Sequence, residues 1–244
     1  MAQLAGTDIP VVRSDWFVAT ATRPPLYHTL LDLPRTATEL ETTLRVDVHQ
    51  NFLRDSLARA GFRGSGVSGQ SRLVERHDAA HGAYWKSYDF KPGNPKGDLA
   101  QLPLGPVFKE NPFENVAFVH DGGEIIFNLP NGLQAYLLVN GKGRRIDEGP
   151  TKIVSVKNRP DPTVINGISC MTCHARGMID KADQVRAHAE KNAAACVRSS
   201  SASKRSARAA TGSVSPTLAP VASTALRKRS ASSLSSARKS ASGG

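Results

Sequence analysis

The sequence changes character at about Cys196, and that break decides how much of the chain can fold. From Val197 to Gly244 it is mostly Ser, Ala, Arg and Lys, with no apolar period. Such a segment cannot bury enough surface to offset the entropy lost on ordering it. It predicts a disordered basic, Ser/Ala-rich tail over 196–244. The break is abrupt enough to favour a second reading, a reading-frame shift that replaced the proper C-terminus. Either way, the folding part is expected within 10–195.

The break also explains the charge. The formal net charge of +11 resembles a nucleic-acid signal. Nine of the 32 basic residues lie after Val197, with no acidic residue among them, which leaves 23 against 21 acidic residues in the body. The body is therefore near neutral, and no nucleic-acid partner is expected. No apolar run approaches the ~20 residues of a membrane span. The start, "MAQLAGTDIPVVRSDWF", lacks the basic end and apolar centre of a signal peptide.

Within the body the pattern predicts an α+β fold with N-terminal helices. "WFVATAT" (16–22) alternates as a short strand would. "RPPLYHTLLDLP" predicts a helix with Pro24 or Pro25 in its first turn and Leu26, Leu30 and Leu33 on one face. "TELETTLRVDVHQNFLRDSLARAG" predicts one long or two short helices. Thr38 and Glu41 would form its capping box and Gly61 its stop. "GSGVSGQS" is loop by composition, "HGAYWKSYDF" a strand, and 91–115 a long irregular loop. "GEIIFNLPNGLQAYLLVNGKGRRI" predicts a small antiparallel meander. Its first turn is at Asn131-Gly132 and a second leads to a short third strand. A last helix over 181–192 would bury Ala182, Val185 and Ala189.

The chemistry-bearing stretch is "GISCMTCHARG" (167–177). Two of the three cysteines, Cys170 and Cys173, lie there, followed at once by His174. Cys-x-x-Cys-His is the attachment signature of c-type haem. Residues three apart on a helical turn present both thiols to one edge of the ring, where each forms a thioether with a vinyl group. His174 is then held beneath the ring as proximal iron ligand. One haem c is the expected cofactor.

Three other uses of the thiols remain open. Zinc would need at least two more ligands at paired spacing, and Cys196, the remaining thiol, lies at the edge of the tail. A thioredoxin-like redox pair expects a βαβ setting and no contiguous His. A structural disulfide at this spacing would be strained.

The distal ligand is less legible. Met178, four residues after His174, falls on the proximal side by helical spacing and reads as pocket wall. The ligand then comes from upstream, or the sixth position is open, or it was lost with the true C-terminus. The upstream histidines are His28, His49, His77, His81 and His120. His77, beside Tyr84, Trp85 and Tyr88, is the first candidate, and His120, at the mouth of the meander, the second. "GSGVSG" lacks the Lys and the strand-to-helix setting of a phosphate loop.

Several stretches together resemble a family of cytochrome c-like domain proteins of planctomycetes and related bacteria. They are "RSDWFVATATRPPLYHTLLDLP", "ARAGFRGSGVSG", "RLVERHDAAHGAYWKSYDF", "HDGGEIIFNLPNGLQAYLLVNGKGRRID" and "NGISCMTCHARGMIDKADQVRAH". The resemblance spans about 10–195. It implies a secreted or envelope-attached haem protein, periplasmic if exported, with Cys170 and Cys173 tethering the haem and His174 on the iron. The missing export signal and the end after Cys196 depart from that pattern and suggest an incomplete or mis-framed gene product.

The expected function is electron transfer through a covalently attached haem to redox partner proteins. The alternatives are a haem enzyme with an open sixth position acting on peroxide or a small ligand, and a non-haem module whose thiols hold zinc or a disulfide.

Overall fold

The computed structural model describes residues 6, 8, 11–157 and 159–186, all within the unit Met1–Thr211. The tail expected over 196–244 lies outside the described residues. So does Ala189 of the last expected helix.

Four short helices come first: α1 (Ser14–Ala21), α2 (Leu26–Leu30), α3 (Ala37–Leu44) and α4 (Val48–Leu53). Five antiparallel strands then form one sheet in sequence order: β1 (Ala58–Arg63), β2 (Ser71–Ala79), β3 (Gly82–Asp89), β4 (Gly122–Asn128) and β5 (Gln134–Asn140). A two-stranded piece, β6 (Glu148–Gly149) with β7 (Val164–Ile165), leads into α5 (Ile168–Cys173). The fold is thus mixed, with helices and antiparallel sheet. No described helix is long and apolar enough to cross a membrane.

Several local expectations change. Residues 14–21 are helix α1 and not a strand. Among the described residues no strand pairs with them, and helical bonds such as Phe17 N to Arg13 O satisfy the backbone instead. Helix α2 buries Tyr27 and His28 and leaves Leu26 and Leu30 exposed. Two short helices form after that. The capping box is Thr36 with Glu39, two residues before Thr38 and Glu41. Both pairs fit the motif; starting at Ala37 turns Ala37, Leu40 and Leu44 into the core. Arg45 in the left-handed region closes α3, and Asp47 caps α4 by accepting from Gln50 N.

Gly61 stops no helix. It sits in edge strand β1, where a Cβ would come within 2.2 Å of Val185 Cγ2. The loop expected over 64–71 forms except that Ser71 opens β2, and the one expected over 91–115 forms with one 3₁₀ turn at Leu102–Leu104 and continues to 121. The hairpin at Asn131-Gly132 also forms, but it ends a five-stranded sheet, and the anticipated third strand is a single bridge, Val139 to Arg145. Of the last helix, Val185 packs on Leu73, Tyr88, Phe90, Leu102 and Phe118, while Ala182 is exposed.

Both sheet edges are closed by side chains. On β5, Tyr136 N donates to Tyr27 Oη and Leu138 N to Asn166 Oδ1. On β1, Gly61 N donates to Asp183 Oδ1 and Arg63 N to Gln184 Oε1. An edge strand with free N–H groups templates pairing with other chains, and these four bonds remove that liability.

Alternation along the strands, with the register of the ladders, assigns the faces. Leu73, Glu75 and His77 of β2 share one face with Tyr84, Lys86 and Tyr88 of β3 and with Ile125, Phe127, Leu137 and Val139. Helix α3 covers it: Glu41 Oε1 accepts from Tyr84 Oη at 2.8 Å and Lys86 Nζ at 2.7 Å. Arg72, Trp85, Asp89, Glu124, Ile126 and Tyr136 share the opposite face. Helix α5 lies against that second face.

Candidate functional site

Helix α5 is capped at its start by Gly167, whose φ is 88°. A Cβ there would meet Thr22 O at 2.5 Å and the Tyr27 ring at 2.9 Å, so a glycine is needed twice over. Ser169 Oγ accepts from Ile165 N at 3.0 Å and fastens the helix to β7. The helix then places its two thiols at its boundary with the core. Cys170 is 3% exposed and packs in the cluster that holds Tyr27, Ile126 and Tyr136. Cys173, one turn on, is exposed, and both thiols are free.

His174 ends the helix. Its N–H donates to Cys170 O at 2.8 Å. The ring stands 5.9 Å from that of Tyr136, tilted by 31°. Nδ1 lies 3.2 Å from Gly177 O, and since a carbonyl only accepts, this contact places the proton on Nδ1. Nε2 is left with its lone pair and faces Glu124 Oε2 at 4.0 Å, beyond hydrogen-bond distance.

Glu124 is the residue sequence reasoning missed. It stands on β4 with its carboxylate toward both Cys170 and His174. Burial first, then this carboxylate, pushes the Cys170 thiol well above its ordinary range. Cys170 is therefore a neutral thiol near neutral pH. Burial, then Cys170 and Glu124, pushes the Tyr136 phenol up to about 12. Arg72 Nη1 reaches to 4.0 Å from Glu124, while Arg72 Nε and Nη2 donate to the two carboxylate oxygens of Asp89 at 2.6 and 2.9 Å. The one signal for Glu124 in the sequence is a charge at an inward position of the apolar run "GEIIF".

The distal candidates are not brought to this site. His77 is fully buried on the opposite face, its Nδ1 accepting from Asn51 Nδ2 at 3.1 Å and its ring 5.9 Å from that of Tyr84. His120 packs edge-on against Tyr88, on that same far face, with Nδ1 3.1 Å from Gly122 O. The sheet stands between both imidazoles and His174, so neither faces the Nε2 lone pair. His28 is engaged by Asn166 Nδ2 at 2.8 Å, and His49 stacks on Phe108 at 4.1 Å. Met178 is 39% exposed.

Cys170, Cys173 and His174 are the donor types that hold the proximal half of a haem c, although here His174 Nε2 faces Glu124. A ligating His commonly donates its second ring N–H to a carbonyl, which fixes tautomer and orientation. His174 already does so through Gly177. Cys173 is accessible to a vinyl group as it stands. Cys170 is buried in the core cluster in this arrangement. Among the described residues, no three His, Cys, Asp or Glu side chains are grouped to hold a metal ion. No protein-family model matches this chain, and neither a curated protein nor a solved structure is similar enough to count as a match.

Proposed function

We propose that the chain carries one haem c, tethered at Cys170 and Cys173 with His174 as the iron's proximal ligand, and that it passes single electrons to redox partner proteins outside the cytoplasm. The observation that carries this reading is the pairing of His174 Nδ1 with Gly177 O, which leaves a lone pair on Nε2 one residue past two free thiols. The haem would supply one-electron chemistry. The chain's own residues do the rest. Gly177 holds the imidazole's tautomer, Tyr136 backs its ring, and α5 sets the two sulfurs one turn apart. Glu124, with Arg72 and Asp89 behind it, sets the charge beside the iron ligand. The resemblance to cytochrome c-like domain proteins supports the same reading.

A second reading is favoured by one observation. His77 and His120 both lie across the sheet from His174, so neither supplies a sixth ligand in this arrangement. An open sixth position suits a haem enzyme acting on peroxide or another small ligand. A zinc module has less support, since no three-ligand group forms among the described residues.

Protein made in an export- and haem-ligation-competent host separates these readings. A haem band that survives a denaturing gel supports attachment. A low-spin ferric spectrum then supports electron transfer, and a high-spin spectrum that shifts with added cyanide supports the open site. Folded protein without covalent haem from that host defeats both.

A further inference from the structure

The sheet face opposite α5 holds a second constellation that no electron-transfer role uses. Arg59 of β1, Glu75 and His77 of β2 and Tyr88 of β3 meet there under α4 and the 3₁₀ turn. Glu75 and His77 are both 0% exposed. Tyr88 Oη donates to Glu75 Oε2 at 2.8 Å. Arg59 Nη1 and Nη2 donate to Pro103 O and Leu102 O at 2.9 and 2.8 Å.

Three buried atoms in this group are unpartnered: Arg59 Nε, Glu75 Oε1 and His77 Nε2. Arg59 Nε is 3.2 Å from Glu75 Oε1, yet its N–H is not aimed to make the bond. His77 Nε2 is 3.6 Å from Glu75 Oε2, too long for one. Buried polar groups left without a hydrogen bond cost about 1–3 kcal/mol each, and although the 3.2 Å Arg59–Glu75 ion pair offsets part of that, the three atoms side by side keep unused hydrogen-bonding capacity.

The chemistry of the three atoms selects that ligand. Burial pushes the Glu75 carboxyl up, but His77, Arg59 and Tyr88 outweigh it and hold the group below the usual carboxylate range. Glu75 is thus an anion and Oε1 an acceptor. Arg59 Nε–H is a donor. Asn51 Nδ2 donates to His77 Nδ1, so the imidazole proton sits on Nε2, a second donor. A cation would meet Arg59, and an anion would meet Glu75. What remains is a small neutral molecule that accepts twice and donates once.

We propose that Arg59 Nε, Glu75 Oε1 and His77 Nε2 bind one internal water molecule. Buried waters typically make about three such bonds to otherwise unsatisfied groups. The water joins His77 to Glu75 and completes a hydrogen-bonded run from Asn51 through His77, water and Glu75 to Tyr88. His77 is thereby a water ligand within the fold. This site is independent of the haem reading.

A crystal structure of the full chain, at a resolution that shows ordered water, tests it. The expected result is a single peak about 2.6–3.2 Å from all three atoms. An Arg59 Nε–H bonded directly to Glu75 with no peak, or a peak with the density and coordination of an ion, overturns it. His77→Phe keeps a ring in place and removes one donor, so the peak should be lost; a peak of unchanged occupancy in that variant also overturns it. Long-range nitrogen spectra of His77 in solution should show the Nε2–H tautomer, and the Nδ1–H tautomer contradicts the assignment.

Discussion

His174 and Cys170 are one helical turn apart and face the same carboxylate with different consequences. The imidazole keeps a free nitrogen because Gly177 holds its other one. The thiol is held neutral by burial and by Glu124. Thiolate, not thiol, is the nucleophile. Brief treatment of the folded protein with iodoacetamide near neutral pH should therefore label Cys173 and spare Cys170, as read by peptide mass mapping, and comparable labelling of both would contradict the packing. Glu124→Gln should speed Cys170 labelling severalfold by removing the charge. His28 gives a pH prediction of its own. Burial, the largest influence, and then Arg145 hold its imidazole below the ordinary value of about 6.5. Below about 6.5 the unfolded chain binds a proton that the folded chain refuses, so stability is lost as pH falls from there toward the lower folded value. His120, depressed first by burial, adds in the same direction. Tm should fall between pH 7.5 and 5.5, and the fall should be shallower in His28→Gln. A flat or rising Tm would contradict these assignments.

Among the elements, the strands and their edges explain what the sequence shows and what it conceals. The hairpin β4–β5 is legible because Ile125, Phe127, Leu137 and Val139 flank an Asn-Gly turn. Strand β2 is not, because its core-facing positions are Ser71, Leu73, Glu75 and His77. Two of those four are ionisable, so the apolar alternation that marks a strand is absent; the hydrogen bonds they do make come from elsewhere in the chain, from Tyr88 of β3 to Glu75 and from Asn51 of α4 to His77. The opposite error occurs at 16–22, where alternating apolar residues suggest a strand but most of the stretch is helix α1. The haem-type motif was legible as a motif. Glu124 was not, since contact between residue 124 and residues 170–174 depends on β4 packing under α5. Asn166 shows how far the edges depend on single side chains. It is fully buried, accepts from Leu138 N at 3.3 Å and donates to His28 Nε2 at 2.8 Å. Asn166→Ala leaves two buried groups unpaired and should cost about 1–3 kcal/mol for each. Chemical denaturation measures this, and a loss under 0.5 kcal/mol, an order-of-magnitude floor, would show that the edge does not need this cap. Gly61→Ala should also destabilise, by about 1–3 kcal/mol, because the new methyl collides with Val185.

For the molecule as a whole, one sheet separates two polar interiors. One face holds the thiol helix with Glu124, Arg72 and Asp89. The other holds Glu75, His77 and Arg59 beneath the N-terminal helices. Leu137, fully buried in β5, joins the apolar layer that runs through the sheet, and Leu137→Ala should cost about 2–5 kcal/mol by denaturation. The separation has a functional corollary. His120→Ala and His77→Phe should leave the visible spectrum of any attached haem unchanged, because neither side chain shares a face with His174. The most direct measurement is the intact mass of denatured protein from an export- and haem-ligation-competent host. Wild-type chain should carry the mass of one haem, and the double variant Cys170→Ala, Cys173→Ala should carry none. Folded wild-type protein at the bare polypeptide mass would contradict the haem assignment.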